Sequence, residues 1–106
     1  MLTRETAIKR VTNFAKEIKA NGLNLKKVIL FGSYAKNQQH QWSDIDVVLV
    51  ADEFIGFGFE DMKHFVNINI KNNYYIIQTN TYPTDYFDKG DPFINEIKRT
   101  GIEIKF

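Results

Sequence analysis

The sequence predicts an α/β (α+β) fold, a small sheet of about four strands flanked by helices. Three observations carry that expectation. Apolar residues at helical spacing open the 106-residue chain, two short and largely apolar runs follow, and the remainder alternates between helical and strand patterns with Gly, Pro and Asn as punctuation. The length suits one domain spanning residues 1–106, and 43% apolar against 25% charged residues is the balance of a chain that buries a core. Nine Phe, five Tyr and one Trp give that core its bulk.

The lead segment reads as a helix. Thr3 is a capping residue, Ile8, Val11, Ala15 and Ile18 recur on one face beside Phe14, and Asn21-Gly22 is a stop. Lys27 to Phe31 is a short apolar run suited to a strand buried on both faces, hence central in the sheet. Gly32-Ser33 then turns the chain, with a short helix expected to start there. Residues 37–43 are polar and irregular apart from Trp42, and Asp44 to Val50 reads as the second strand. Residues 52–58, with Gly56 and Gly58, are expected to form a mobile loop. Phe59, Met62 and Val66 fit a helix, although Val66, Ile68 and Ile70 alternate like a strand; the helical reading is taken to about Ile70, with Asn72-Asn73 as a turn. Tyr74 to Thr81 is β-branched and aromatic, a third strand. Asp91-Pro92 caps and starts a helix with Phe93, Ile94 and Ile97 on its apolar side, Gly101 ends it, and Ile102 to Phe106 is a last short strand.

Composition excludes several classes. Without cysteine there is neither a disulfide framework nor a thiolate metal site. No apolar run approaches the ~20 residues of a membrane span, and no charged start followed by an apolar stretch reads as a signal peptide, so a cytoplasmic chain with no membrane partner is expected. The net charge of +1 argues against general nucleic-acid binding. Charge is nonetheless uneven: residues 1–40 carry eight Lys/Arg and two acids, residues 41–106 six and eleven. A basic helix as a non-specific RNA binder lacks interleaved aromatics beyond Phe14.

Two features sit where chemistry is expected. Gly32-Ser33 follows the buried strand directly, and Asp44-Ile45-Asp46 opens the next strand after ten intervening residues. Alternation along a strand sends both carboxylates to one face, about 6–7 Å apart. Two like charges so placed repel each other, and a hard cation removes the objection, since Mg²⁺ is held by one or two carboxylates plus phosphate oxygens and water. A glycine after a buried strand allows a tight turn whose amides, with the Ser33 hydroxyl, suit phosphate. Alone, Asp-x-Asp is an ordinary polar strand start and Gly-Ser an ordinary turn. Together they are what nucleotidyl transfer needs, a clamp on a triphosphate beside a cation dyad.

Gly32-Ser33, ten residues, Asp44-Ile45-Asp46 and then Val47 to Val50 resemble the signature of the DNA polymerase β-type nucleotidyltransferase superfamily, and more narrowly its minimal nucleotidyltransferase (MNT) branch. The likeness spans residues 27–51 most specifically. It implies a small mixed, nucleotidyltransferase-like sheet and an enzyme that moves a nucleoside monophosphate, AMP from ATP or another NTP, onto a hydroxyl. It implies that Gly32 and Ser33 grip the terminal phosphates and that Asp44 and Asp46 bind Mg²⁺, two ions in the family. The family's third carboxylate, on the next long strand, corresponds to Gln78, which can neither act as a base nor neutralise a metal; Glu60 or Asp61 is a possible substitute that the spacing does not compel. Proteins of this branch often accompany a HEPN-domain toxin, so the implied partner is a HEPN-type protein and the implied acceptor one of its tyrosines.

Around the motif, Lys36 is within sequence reach of a phosphate, though a surface lysine is the plainer reading. Tyr34 suits either the nucleotide or the core, Ser43 adjoins the acid pair, and Trp42 suits a base or a partner contact. His40 reads as solvated, His64 as structural, and Lys26 and Lys27 as exposed. The competing function is an antitoxin that neutralises its partner by covering it, with a weak nucleotide site. Gln78 favours that reading, and Tyr82, Tyr86, Phe87, Phe54 and Phe57 are its candidate interface. The sequence leaves self-association open.

Overall fold

The structure, a computed structural model, describes residues 2–71 and 73–106. Helix α1 (Arg4–Ala20) starts where Thr3 accepts a hydrogen bond from the Thr6 amide and buries Ala7, Val11, Phe14, Ala15 and Ile18. Strand β1 (Leu25–Phe31) leads through the single-turn helix α2 (Gly32–Ala35) to β2 (Ile45–Ala51). Two further single-turn helices, α3 (Gly58–Asp61) and α4 (Val66–Asn69), precede β3 (Ile77–Tyr82). Helices α5 (Thr84–Lys89) and α6 (Pro92–Thr100) and the two-residue strand β4 (Ile102–Glu103) complete the chain.

The sheet order is β3-β2-β1-β4, so the two apolar runs are its central strands, as expected of strands covered on both faces. β1 pairs antiparallel with β2 and β4, whereas β3 runs parallel to β2, which makes the sheet mixed. One face carries Val28, Leu30, Ile45, Val47 and Leu49 under α1, α4 and an aromatic cluster of Phe14, Phe54, Phe65 and Tyr74. The other carries Ile29, Val48 and Val50 under Phe87, Ile94 and Ile97 of α5 and α6. Each such large side chain contributes roughly 1.5–3 kcal/mol by leaving water.

Several expectations needed correction. The helix expected from Phe59 to Ile70 is broken into α3, a 3₁₀ turn at Met62–His64 and α4, because Phe65, at φ −145°, leaves the helical path to bury its ring. Tyr74–Ile76 forms a 3₁₀ turn, closed by the Asn69 amide donating to the Tyr74 carbonyl (2.8 Å), so the third strand starts only at Ile77. Of the Asn72-Asn73 turn, Asn72 lies outside the described residues. Residues 52–58 are tied down rather than free: the Asp61 carboxylate accepts from the Ile55 and Gly56 amides, each at 2.9 Å. Helix α5 was not anticipated. It buries Phe87, and Phe54 is buried too, which removes both from the proposed aromatic interface; Tyr86 and Phe57 remain exposed, and Tyr82 is half-buried. Lys27 is half-buried with its ammonium 5.9 Å from the Phe87 ring, not simply exposed. His64 is exposed, its ring 6.0 Å from that of Phe54. No helix among the described residues is long and apolar enough to cross a membrane.

Candidate functional site

The site forms where β1 ends and β2 begins. Antiparallel pairing sets Phe31 beside Asp46, and parallel pairing sets Gln78 beside Asp46 on the other side. Paired residues of neighbouring strands point to one face, so Phe31, Asp46 and Gln78 form a row across the sheet, with strands ~4.8 Å apart. The chain leaves this row through Gly32 at φ +74°, a conformation natural to glycine. A Cβ on Gly32 would lie 2.5 Å from the nearer Asp46 carboxylate oxygen. Backbone turn and acid therefore lie against each other, and a side chain at position 32 would have to displace the Asp46 carboxylate.

Asp46 is half-buried and Asp44 exposed. Burial first, and the neighbouring Asp44 charge second, push the Asp46 carboxyl above its ordinary value. The donor set is two carboxylates, with no cluster of three potential ligands among the described residues. This suits a hard cation whose remaining positions are filled by phosphate and water, and it would relieve the repulsion at Asp46.

A cleft of about 330 Å³ opens beside Asp44, on the side of the sheet that α1 covers, lined by Leu2, Tyr34, Trp42, Ser43, Asp44 and Tyr75 among others; Asp46 does not line it. Tyr34 is 2% exposed and belongs to the core beneath the cleft. Ser43 closes a tight turn, its hydroxyl accepting from the His40 amide at 2.9 Å and its own amide donating to the His40 carbonyl. That turn holds Trp42 outward at 82% exposure on the cleft rim. Lys36 is exposed and sits near α6: Glu96 is held below its ordinary range chiefly by Arg99 and to a smaller degree by Lys36.

Neither suggested substitute carboxylate reaches the row. Asp61 is buried and spent on the Ile55 and Gly56 amides and on the Thr81 hydroxyl, which donates at 2.7 Å. Glu60 pairs with Lys63 at 3.0 Å. Gln78, by contrast, is exposed and adjoins Asp46 in register. Tyr75 and Leu2 went unnoticed in the sequence as cleft residues. Nothing local marks them, because their place depends on the turn at Tyr74–Ile76 and on where α1 starts.

A family model described as a nucleotidyltransferase domain matches residues 11–105. The chain belongs to that family. A protein of Methanocaldococcus jannaschii, provisionally named a protein adenylyltransferase, is 45% identical over 51 residues, 48% of this chain and 49% of that protein. The chain thus spans about half the length of the curated relative it matches. The crystal structure of a provisionally assigned nucleotidyltransferase from Sulfolobus solfataricus shares the fold with a TM-score of 0.66 at 20% identity, covering 94% of this chain and 80% of that one. A toxin–antitoxin crystal structure with AMP-PNP matches with a TM-score of 0.59 at 17% identity, over 89% and 72% respectively. Family, archaeal relative and shared fold fit the minimal branch to which the motif pointed.

Replacing Gly32 by Ala is expected to cost roughly 1–3 kcal/mol of stability, the scale of a non-glycine residue held at positive φ. It should also weaken Mg²⁺-nucleotide binding at least tenfold by displacing the Asp46 carboxylate. Chemical denaturation and nucleotide titration measure the two effects separately.

Proposed function

We propose that the chain is a Mg²⁺-dependent adenylyltransferase that moves AMP from ATP onto a tyrosine hydroxyl of a HEPN-type partner. The observation that supports this reading is the closeness of Gly32 to the Asp46 carboxylate, which sets a glycine turn suited to phosphate beside an acid suited to a cation. Asp44 and Asp46 would hold the ion, and its chemistry is to neutralise the triphosphate and favour departure of pyrophosphate. Gly32 lets the backbone approach the phosphates, and Ser33, half-buried at the start of α2, offers a hydroxyl donor to their oxygens. Trp42, outward beside Ser43 and Asp44, offers flat apolar surface to the rest of the nucleotide, and the exposed Lys36 offers positive charge.

Gln78 has a chemical consequence. It can hydrogen-bond an acceptor hydroxyl but cannot take its proton. A phenol, with an ordinary pKa of about 10, gives up its proton far more readily than an aliphatic alcohol, so a site with Gln at this position suits tyrosine. The archaeal relative's name supports protein as acceptor, and the toxin–antitoxin neighbour with AMP-PNP supports an adenine nucleotide and a protein partner.

The test is incubation of the chain, Mg²⁺ and α-labelled ATP with the protein encoded beside it. Label transfer that disappears in an Asp44→Asn/Asp46→Asn double variant supports the proposal; a tight complex without transfer, unchanged by that variant, overturns it in favour of an antitoxin acting by coverage. Gln78, as a non-basic residue beside Asp46, and the outward Trp42 favour this second reading. Introducing a carboxylate by Gln78→Asp is expected to raise the rate of the chemical step by about a hundredfold, the lower end of a general-base contribution. Single-turnover kinetics would show it.

A further inference from the structure

We propose that β3 is the pairing edge of a symmetric dimer, in which two copies of this chain join their sheets along Ile77–Tyr82; nothing in this depends on the transfer reading above. The sheet order leaves β3 outermost, with β2 on one side of it. Among the described residues the β3 backbone makes no backbone hydrogen bond beyond that ladder. An open edge is a template for another strand, and proteins blunt it with charges, proline, a bulge or shortness. The opposite edge is blunted, since β4 is two residues long and carries the exposed Glu103. Ile77-Gln78-Thr79-Asn80-Thr81-Tyr82 contains no charge and no proline, and its register with β2 runs unbroken.

This edge is also bordered by apolar surface. A hollow of about 220 Å³ is lined by Met62, Val66 and Ile70 together with Ile77, Gln78 and Thr79. Successive side chains of a strand point to opposite faces, so three consecutive residues border one hollow only where it wraps the free edge. Its outer wall continues along α3 and α4 as Phe59, Met62, Val66 and Ile70, with Phe59 74% and Ile70 71% exposed. With the exposed Tyr75, the strip holds on the order of 500 Å² of apolar surface, as much as the largest patch on an ordinary monomer. The strand edge beside it brings the total toward the ~800 Å² per partner of a stable interface.

Charge selects a second copy as the occupant. A two-fold axis sets strand and strip against the same strand and strip, so a free charge there would meet its like. β3 has none, and the charged side chains flanking the strip are already paired, Glu60 with Lys63 at 3.0 Å and Lys71 with Glu17 at 2.9 Å. Residues directly opposite each other in an antiparallel pair share a face, so Thr79 or Asn80 lies on the axis and Gln78 meets Asn80 or Tyr82 of the second copy. Both Asp46 rows then open on one face of an eight-stranded sheet, and each copy adds a polar side chain beside the other's Gln78. Ile70 flanks the start of β3 and Asp61 binds Thr81 near its end, so α4 of each copy lies against α3 of the other.

Sedimentation and light scattering of the full chain from micromolar to millimolar concentration test the proposal, with hydrogen exchange followed in parallel. The native chain is expected to double its mass, and the β3 amides to exchange more slowly as concentration rises while those of β4 do not. Phe59→Lys and Ile70→Lys alter exposed residues and should keep the circular dichroism of the native chain. Each of them, and Asn80→Lys on the edge itself, should weaken association roughly tenfold or more, since like charges then face each other. A chain that stays monomeric throughout overturns the proposal. So does a dimer untouched by all three variants, with β3 exchange independent of concentration. Protection of β3 that appears only when the protein encoded beside this chain is added overturns self-pairing in favour of a foreign strand at the same edge.

Discussion

Asp46→Asn is expected to lower nucleotidyl transfer by a factor on the order of 10³ while raising the melting temperature of the metal-free chain. The loss follows from charge: removing one of two acids forfeits several kcal/mol of the stabilisation a bound cation supplies, and each 1.36 kcal/mol is tenfold in rate. The gain follows from the same charge in the absence of the cation. Burial and Asp44 hold the Asp46 carboxyl above its ordinary 3.8, so the folded state binds this proton more tightly than the unfolded chain does. Stability from this group is present at pH below the unfolded value and is lost as pH rises through the raised folded value. At neutral pH the ionised Asp46 therefore costs the fold some stability, a small amount because its carboxylate still meets solvent. Asn removes that cost, and a 106-residue domain should melt a few degrees higher. Transfer in the native chain has the opposite pH dependence, falling as pH drops and Asp46 takes up its proton. Thermal scans with and without Mg²⁺-nucleotide, alongside a pH-rate profile, check both signs.

Asp61→Ala is expected to destabilise the chain by about 3 kcal/mol, because it removes three hydrogen bonds, each contributing about 0.5–1.5 kcal/mol, and leaves the buried Thr81 hydroxyl unpaired. One carboxylate accepts three hydrogen bonds, from the Ile55 and Gly56 amides and the Thr81 hydroxyl, and it is 1% exposed. It clamps the loop after β2 to α3 and to β3, so its removal should loosen the strand that carries Gln78. Urea denaturation would report the stability, and hydrogen exchange of the β3 amides would show opening there rather than in β1. Asn at this position can accept only through its carbonyl oxygen and should recover part of the loss.

The readable parts of the sequence are those with local causes. Thr3 and Asp91 cap helices wherever they stand before a run of helical spacing, and both do so here. Lys27 to Phe31 and Val47 to Val50 are too apolar for any place but the middle of the sheet, and β1 and β2 occupy it. Phe59 to Ile70 was misread because its apolar residues lie on two sides: Phe65 and Ile68 turn inward, while Phe59, Met62, Val66 and Ile70 stay exposed. No single period describes such a segment. The short α5 was missed for a related reason, since six residues hold too few turns to show a pattern.

Local chemistry alone determined that this chain carries a glycine turn and an acid pair at the ends of successive buried strands, because strand alternation and glycine's freedom are properties of neighbouring residues. Pairing decided the rest. Gln78 adjoins Asp46 because β3 runs parallel to β2 in one register, and Asp61 is unavailable because Thr81, 20 residues away, claims it. Those contacts join residues distant in the chain, and the energies that select them arise only once the sheet has formed.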